Sequence, residues 1–376
     1  MIHLEKKQKI INIWQNLGYS YTTMPVRTIR AFHPGATPAT TSPNRIMVFE
    51  DGICAGNANS LPSGIQPIKG VITFTDPEVK SLSVSTWGGT VNLQGVRGYL
   101  NEVTPEQARF ASDTTNPFQG NTSITAFPEF QFFTGMTILG NYRNSQYLSF
   151  QGCSSLNEII LPSSVIFIGK RAFEGTDITS IGLKNVRYID SQAFKACPKL
   201  KSIVIPDQVT TMGNYTFREC SSLEKIVLGK GVSNIGNYVF CTCLNLKEVI
   251  INSTTITSIG NYAFRECQSL EELTIPDSVT SIGEGTFSYL KRPCGLKSFT
   301  IPKSVTSIGK NCFVTGSRAL EWVKCLATTP PAIGDNAFDT EADFPIYVPS
   351  GALDTYKARQ GWSDYQHRLL PLDDGT

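Results

Sequence analysis

The chain has 376 residues, and its 33 lysines and arginines stand against 31 acidic residues for a formal charge of +2. That balance removes the strong basic footprint of a nucleic-acid binder. No apolar run approaches the ~20 residues that cross a bilayer, and the N-terminus lacks the apolar core of a secretory leader.

In chain order, Ile10, Ile13, Trp14 and Leu17 fall at helical spacing beside Lys6, Lys7 and Lys9, and Gly18 comes next as a helix end. The spacing predicts a short amphipathic helix that docks on its own domain or grips a partner subunit. His33 to Asn44, rich in Pro, Thr, Ser and Gly, reads as a linker or long loop. Arg45–Glu50 and Gly70–Phe74 read as strands of a small β-rich unit. Two short helices are expected from Asp76 to Trp87 and from Thr104 to Ala111, the second with Thr104 as N-cap and Pro105 at its first position. Phe118–Ile124 then leads into Phe127–Phe133, the expected N-terminal cap of a downstream array.

From Phe150 onward one pattern returns. Phenylalanines stand at 150, 173, 194, 217, 240, 264, 287, 313 and 338, with spacings of 23, 21, 23, 23, 24, 23, 26 and 25. Such a period is the mark of a solenoid, whose copies bury a core only when stacked. Five residues before the ring stands an apolar-Gly pair, as in Ile168-Gly169, Met212-Gly213, Ile235-Gly236, Ile259-Gly260, Ile282-Gly283, Ile308-Gly309 and Ile333-Gly334. This predicts a sharp bend there and a close approach of coils. Ile189-Asp190 departs from the pair, and aspartate tolerates a left-handed turn. The run Leu-x-x-Ile-x-Ile alternates with period two and ends at Pro162, Pro206, Pro276 or Pro302, which predicts a short strand per copy.

The segments Ile275-Pro276-Asp277-Ser278-Val279-Thr280-Ser281-Ile282-Gly283 through Phe287, and Ile259-Gly260-Asn261-Tyr262-Ala263-Phe264-Arg265-Glu266-Cys267, closely resemble the BspA-type leucine-rich repeats of bacterial surface proteins. The resemblance spans roughly residues 120–372. It implies binding rather than chemistry, since family members are mostly adhesins and ligand-binding surface proteins, with related arrays on bacteriophage virions. The stretch around Trp87 is similar to the calcium-loop-like module that often precedes such arrays. Its loop offers only Thr90, Asn92 and Gln94, with no aspartate between Trp87 and Asn101, so no metal is expected there.

The resulting expectation is a repeat solenoid, a β-rich leucine-rich-repeat array of about 23 residues per repeat, with a small N-terminal α+β attachment region. Its parts are residues 1–44 (helix and linker), 45–119 (attachment module), 120–340 (solenoid) and 341–376 (a C-terminal cap in which Leu353, Tyr356 and Trp362 cover the last coil). Cys153, Cys197, Cys220, Cys243 and Cys267 each stand three residues after a repeat phenylalanine, which predicts a buried ladder of free thiols. Histidines occur only at 3, 33 and 367, so a Ser-His-Asp or Cys-His site inside the array is excluded. No catalytic residue, cofactor or metal is expected.

If the strand residues Ile203 and Ile205 face inward, Ile160, Val204, Val227, Ile250 and Thr274 form an outward stripe with Trp322 near one end, a candidate ligand-binding face. The alternative is that β-branched residues simply suit a sheet surface. The expected partners are an extracellular glycan or a surface protein, with the N-terminal region holding the array on a larger assembly; homo-oligomerisation is left open. Met1 as a true start favours an extracellular virion fibre or tail component, and otherwise an exported bacterial cell-surface adhesin. A carbohydrate-active enzyme is a distant third.

Overall fold

The computed structural model describes residues 74–87, 116–143, 145–316 and 320–372, together with the backbone of strands Arg30–Ala31, Ile46–Phe49 and Gly52–Ala55. The amphipathic helix around Trp14, the linker from His33 to Asn44, all but Phe74 of the strand expected at Gly70–Phe74, the loop with Thr90, Asn92 and Gln94, and the helix from Thr104 lie outside these residues, and Phe74 itself is not in a strand. The three N-terminal strands form a sheet in sequence order, the first pair parallel and the second antiparallel. The central strand, Ile46–Phe49, is the one expected at Arg45–Glu50. That sheet belongs to a unit of residues 1–73 and 88–107, while residues 74–87 and 108–376 form a second unit.

The second unit is a stack of coils built around two parallel strand ladders. One ladder includes Ser202–Ile205, Lys225–Leu228 and Glu248–Ile251, and further on Ser298–Ile301, Trp322–Cys325, Ile346–Pro349 and Leu369–Leu372. The other runs through Ile138–Leu139, Phe167–Ile168, Tyr188–Ile189 and Thr211–Met212, then Ser258–Ile259, Ser281–Ile282, Ser307–Ile308 and Ala332–Ile333. Strands end just before Pro206 and Pro302, where the missing N–H cannot continue a ladder. The sheet continues to Leu372, so the segment expected as a separate cap from residue 341 is also the last two strands of the array.

Between the ladders lies the phenylalanine turn. Phe150, Phe173, Phe194, Phe217, Phe240, Phe264, Phe287, Phe313 and Phe338 are fully buried and stack ring on ring with centroids 5.2–5.9 Å apart. Phe118 begins the column, 5.5 Å from Phe150, and Trp362 closes it, 5.4 Å from Phe338. In the central coils the turn is built on two left-handed residues that flank the ring: Tyr215 and Glu219 have φ of 61° and 66°, and Tyr262 and Glu266 of 56° and 59°. Such angles cost a non-glycine residue about 1 kcal/mol or more. They are held because Tyr215, Phe217 and Glu219 donate their N–H groups to Asn237, Val239 and Cys241 of the next coil at 2.9–3.0 Å.

This corrects the expected role of the glycines. None of the seven array glycines paired with an aliphatic residue has a positive φ, and neither does Asp190. Close approach is their reason: a Cβ on Gly260 or Gly283 would lie 2.6 Å from the backbone nitrogen of Asn237 or Asn261 in the preceding coil. The next residue adds a second device. The side-chain oxygens of Asn214, Asn237 and Asn261 accept, in turn, the N–H groups of Asn237, Asn261 and Glu284, all at 2.8 Å, carrying the coil-to-coil ladder around the corner.

Both ends are closed by aromatic side chains. At the start, Phe118, Phe127, Phe130 and Phe133 are buried, three of them in ring contact with Phe150, with Pro128–Phe132 forming a 3-10 turn. Helix Pro77–Trp87, expected within the 45–119 module, is tied to this end. Asp76 caps it by accepting from the N–H of Glu78 and Val79, and its other oxygen accepts from the Thr125 N–H and hydroxyl at 2.7 and 2.9 Å. At the far end Tyr356 and Trp362 are fully buried and donate to the carbonyls of Ala327 and Pro331; Leu353 is only half-buried. Arg368 and Tyr365 complete the seal, the guanidinium bonding the carbonyls of Phe344 and Asp339. No described helix is long and apolar enough to cross a membrane.

These contacts set two expectations for stability. Phe240→Ala should cost about 3–5 kcal/mol in denaturant unfolding, the usual range for emptying a packed aromatic site, and a loss below about 1 kcal/mol would contradict a load shared along the ring column. Burial by itself raises the Asp76 carboxyl, but the four hydrogen bonds from Thr125, Val79 and Glu78 outweigh it and hold it below the usual aspartate value. A depressed folded-state value stabilises above the unfolded value and is lost as pH falls through the folded one. Asp76→Ala should therefore lose about 0.5–2 kcal/mol at neutral pH, and the gap to wild type should close below about pH 4. An unchanged gap at pH 7 and pH 3 would show that the carboxylate is not what ties the helix down.

Candidate binding faces of the array

The first ladder presents outward residues between its inward aliphatics, and the register separates the six candidates. Val204, Val227 and Ile250 stand side by side on three hydrogen-bonded strands. Val204 is 60% exposed, and Val227 and Ile250 are half-buried by their neighbours. Ile160 is exposed, but the coil between it and Val204 runs through Thr179, which bonds Asn157 before it and Lys201 after it. That register puts Gly182 at the stripe position, with no side chain to continue it. Thr274 is exposed on a coil outside strand conformation. Trp322 is half-buried, in register with Ser298 rather than Thr300, and its ring lies 5.0 Å from the Lys324 ammonium. The continuous part of the expected stripe is thus the trio Val204, Val227 and Ile250.

Charge frames this trio more regularly than composition suggests. At one position in successive coils stand Lys201, Glu224, Lys247, Glu271, Lys297 and Glu321. Glu224 and Lys247 pair at 3.2 Å, and Lys225 and Glu248 on the adjoining position pair at 2.9 Å. These pairs are exposed and add little stability. Their alternation neutralises the edge of the face, so like charges do not stack. The signal is present in the sequence at the repeat period, one residue before each outward pair.

The second ladder has an outward face of its own, which an alternating pattern does not reveal because two residues turn outward between its inward aliphatics. In five successive coils these are Thr210-Thr211, Ser233-Asn234, Thr257-Ser258, Thr280-Ser281 and Thr306-Ser307. Ser233, Thr280 and Thr306 donate their hydroxyls to the carbonyls of Thr210, Thr257 and Thr280 at 3.0–3.1 Å, so much of this row serves the stack itself. In the earlier coils the positions hold Ile166-Phe167 and Arg187-Tyr188.

A third row lies beside the phenylalanines. Tyr215, Tyr238 and Tyr262 stack at 4.7 and 4.9 Å, with the Arg218 and Arg265 guanidiniums 5.8 and 5.2 Å from the outer two rings. The Tyr262 hydroxyl donates to Glu284, which with burial pushes it up to about 12. Because the ring faces are occupied by one another, and Tyr262 covers Gly285, this row offers edges rather than a platform.

The thiols are inward. Cys153, Cys197, Cys220, Cys243 and Cys267 are fully buried and free, and each donates to the carbonyl of the phenylalanine one coil earlier at 3.0–3.2 Å. Burial pushes Cys153 up to about 12 and raises Cys220, Cys243 and Cys267, the opposite of what a nucleophile or metal ligand requires. Burial also raises Cys197, but hydrogen bonds from Cys220 and Thr176 outweigh it and lower that thiol, which is fully buried. Among the described residues no cluster of three or more His, Cys, Asp or Glu is placed to hold a metal ion.

The model of the BspA type Leucine rich repeat region matches with six copies, in segments 122–247, 187–319 and 233–343 that together cover more than half of the chain. No curated protein matches it. Among solved structures, a leucine-rich repeat protein from Bacteroides ovatus is 24% identical over 60% of this chain and 58% of its own, with a TM-score of 0.46. The leucine-rich repeat protein of T. pallidum is 24% identical over 47% of this chain and 72% of its own, with a TM-score of 0.36. A leucine rich cell surface protein from Faecalibacterium prausnitzii is 20% identical over 67% of this chain and 63% of its own, with a TM-score of 0.31. The chain spans less than two thirds of the length of the first of these structures.

The thiol ladder predicts a labelling pattern. Cys197, Cys220, Cys243 and Cys267 should react slowly with an aromatic disulfide reagent in the folded protein and rapidly after denaturation. Fast labelling of all four in the native state, or disulfides between them, would contradict the packing.

Proposed function

Because the chain belongs to the BspA-type leucine-rich repeat family, we propose that it is a noncatalytic recognition protein whose first strand face binds an extracellular glycan or protein. The observation that carries this reading is the trio Val204, Val227 and Ile250, three aliphatic side chains in register on adjacent strands, the first 60% exposed. An apolar group held outward on a rigid ladder offers contact area to a partner. The flanking pairs Lys225–Glu248 and Glu224–Lys247 supply a polar rim, the arrangement in which a small apolar centre is screened from water by charge. Trp322 and Lys324 add an aromatic and a cation farther along the same ladder.

Several features support a role without catalysis. The coils from Phe150 to Phe338 hold no histidine, their thiols are buried, and the family is one of repeat proteins. The setting that fits is an outer surface, either that of a bacterial cell or that of a virion on which the protein serves as a fibre or tail component. Residues 1–120 would then hold the array on the larger assembly. Purified virions and cell-envelope fractions, probed with antibody to the array, distinguish the two.

The variant Val204→Lys, Val227→Lys, Ile250→Lys tests the face. Since these side chains point outward, its circular dichroism should match wild type. On glycan and surface-protein arrays, the targets bound by wild type should lose at least about tenfold in affinity, as expected when the centre of a recognition patch is replaced by charge. Undiminished binding by the folded variant would remove this face from recognition, and loss of binding on deleting residues 1–120 instead would move recognition to the N-terminal part.

A further inference from the structure

The repeats of one chain serve as controls for one another, and on the second strand face the first three coils break the rule that the next five keep. From Thr210 to Ser307 the outward pairs are hydroxyl or amide residues, and the segments 208–214, 231–237 and 255–261 carry no charge. In the segments in register with these, 135–141, 164–170 and 185–191, the outward residues become Ile138, Ile166-Phe167 and Arg187-Tyr188. These segments carry Lys170 and Arg187 against a single acid, Asp190, and Arg143 stands two residues beyond the first of them. Nothing in the stacking requires the change, because hydroxyl and amide residues fill the same positions in five other coils of the same ladder.

The side chains form one cluster. The Tyr142 and Phe167 rings lie 4.5 Å apart at 59°, and Phe167 and Tyr188 lie 5.8 Å apart at 33°. Unlike the tyrosine row at 215, 238 and 262, these rings are tilted and not stacked flush. Tyr188 is 43% exposed and Ile166 42%. The Arg143 guanidinium stands 5.2 Å from the Tyr142 ring centre, and Arg187, the residue before Tyr188, is exposed on the same face. Arg171 is engaged by Glu174 and Gln192, and the Asp190 carboxylate accepts the Ser191 N–H. Set against the single charge of Asp190, Arg143 and Arg187 still leave the patch net cationic.

We propose that this patch binds a carboxylate-bearing polysaccharide, its sugar faces resting on Phe167 and Tyr188 and its carboxylates pairing with Arg143 and Arg187. The charge selects an anion, and guanidinium is the side chain whose fork matches a carboxylate. The aromatic rings select a ligand with an apolar face. Three rings and two isoleucines fall short of the roughly 800 Å² per partner of a stable protein interface. Along the solenoid the patch gives way to rows of hydroxyls, a wet and uncharged surface that suits a hydrated polymer and lacks the apolar centre a protein partner would need.

The test uses the full chain with hyaluronate and polygalacturonate as probes, neutral dextran and poly-glutamate as comparisons, and biolayer interferometry as the readout. At least one uronate polymer should bind and dextran should not. Tyr188→Ala and Arg187→Gln should each weaken that binding about tenfold or more, while Lys303→Ala, on a distant coil, leaves it unchanged. Unaltered thermal unfolding of the variants establishes that the fold is kept. The triple lysine variant of the first face should retain the binding, which separates this site from the other. Absence of binding to both uronates, binding that survives both patch variants, or equal dextran binding overturns the proposal. Poly-glutamate binding as tightly with the same dependence on Tyr188 and Arg187 also overturns it, in favour of an acidic protein segment.

Discussion

The constraint on which the molecule depends is that each coil must meet the next at the spacing of a β-ladder all the way around its circuit. Strands satisfy it readily, because parallel pairing is their ordinary chemistry. The difficulty is the turn, where a chain that curves ordinarily points its N–H groups in changing directions. Left-handed residues flanking each phenylalanine solve it in the central coils, so that every second N–H runs along the stack axis. The strain of Tyr215 or Glu266 at positive φ is tolerable because each such residue gains an inter-coil hydrogen bond. The ring between them fills the volume that the turn encloses. Removing either half leaves the other without a reason to hold its shape.

Function then falls to positions the circuit does not use. Inward positions are fixed by the ring column, the aliphatic residues and the thiols. The corner is fixed by asparagine oxygens and by glycines with no room for a Cβ. What remains free is the outward pair on each ladder, and most of those pairs are filled with residues that also assist stacking, such as Thr280 and Thr306. Departures from that filling are informative because the rest of the chain shows what the scaffold needs. Val204 with Val227 and Ile250 is one departure, and the rings around Phe167 are another.

Much of the architecture is legible in the sequence, because a ring buried in every coil must recur at the coil's period. The phenylalanine column, the inward cysteines, the strand-ending prolines and the closing roles of Tyr356 and Trp362 can be read for that reason. Phe118 escapes notice as the first member of the column because it stands 32 residues before Phe150, outside the period. Conformational freedom alone assigns the left-handed positions to glycine. Stacking instead places Tyr, Arg and Gln at many of them, with glycine only at some, such as Gly152, Gly175 and Gly285, while the glycine of each apolar-Gly pair is kept where two backbones nearly touch. The stripe looks continuous in sequence because the coil through Gly182 lacks the period-two run that marks the others. The second face is hidden for a related reason: two adjacent residues face outward there, and alternation does not describe them.

The two aromatic seals have a consequence for how such a molecule changes size. Trp362 ends the ring column on a side chain with no further partner turn, and the cluster around Phe127 does the same at the beginning, so neither end of the column can accept another copy. An internal coil has matched donors and acceptors on its two sides. Insertion of whole coils between the one that carries Tyr188 and the one that carries Val204 would therefore preserve every junction, while moving the Val204 trio away from the Phe167 rings by multiples of one ladder spacing, about 4.8 Å. Copy number acts as a ruler in this architecture. Any partner that engages both faces at once would impose a length on the array, and recombination within the gene could tune that length in discrete steps without redesigning either face.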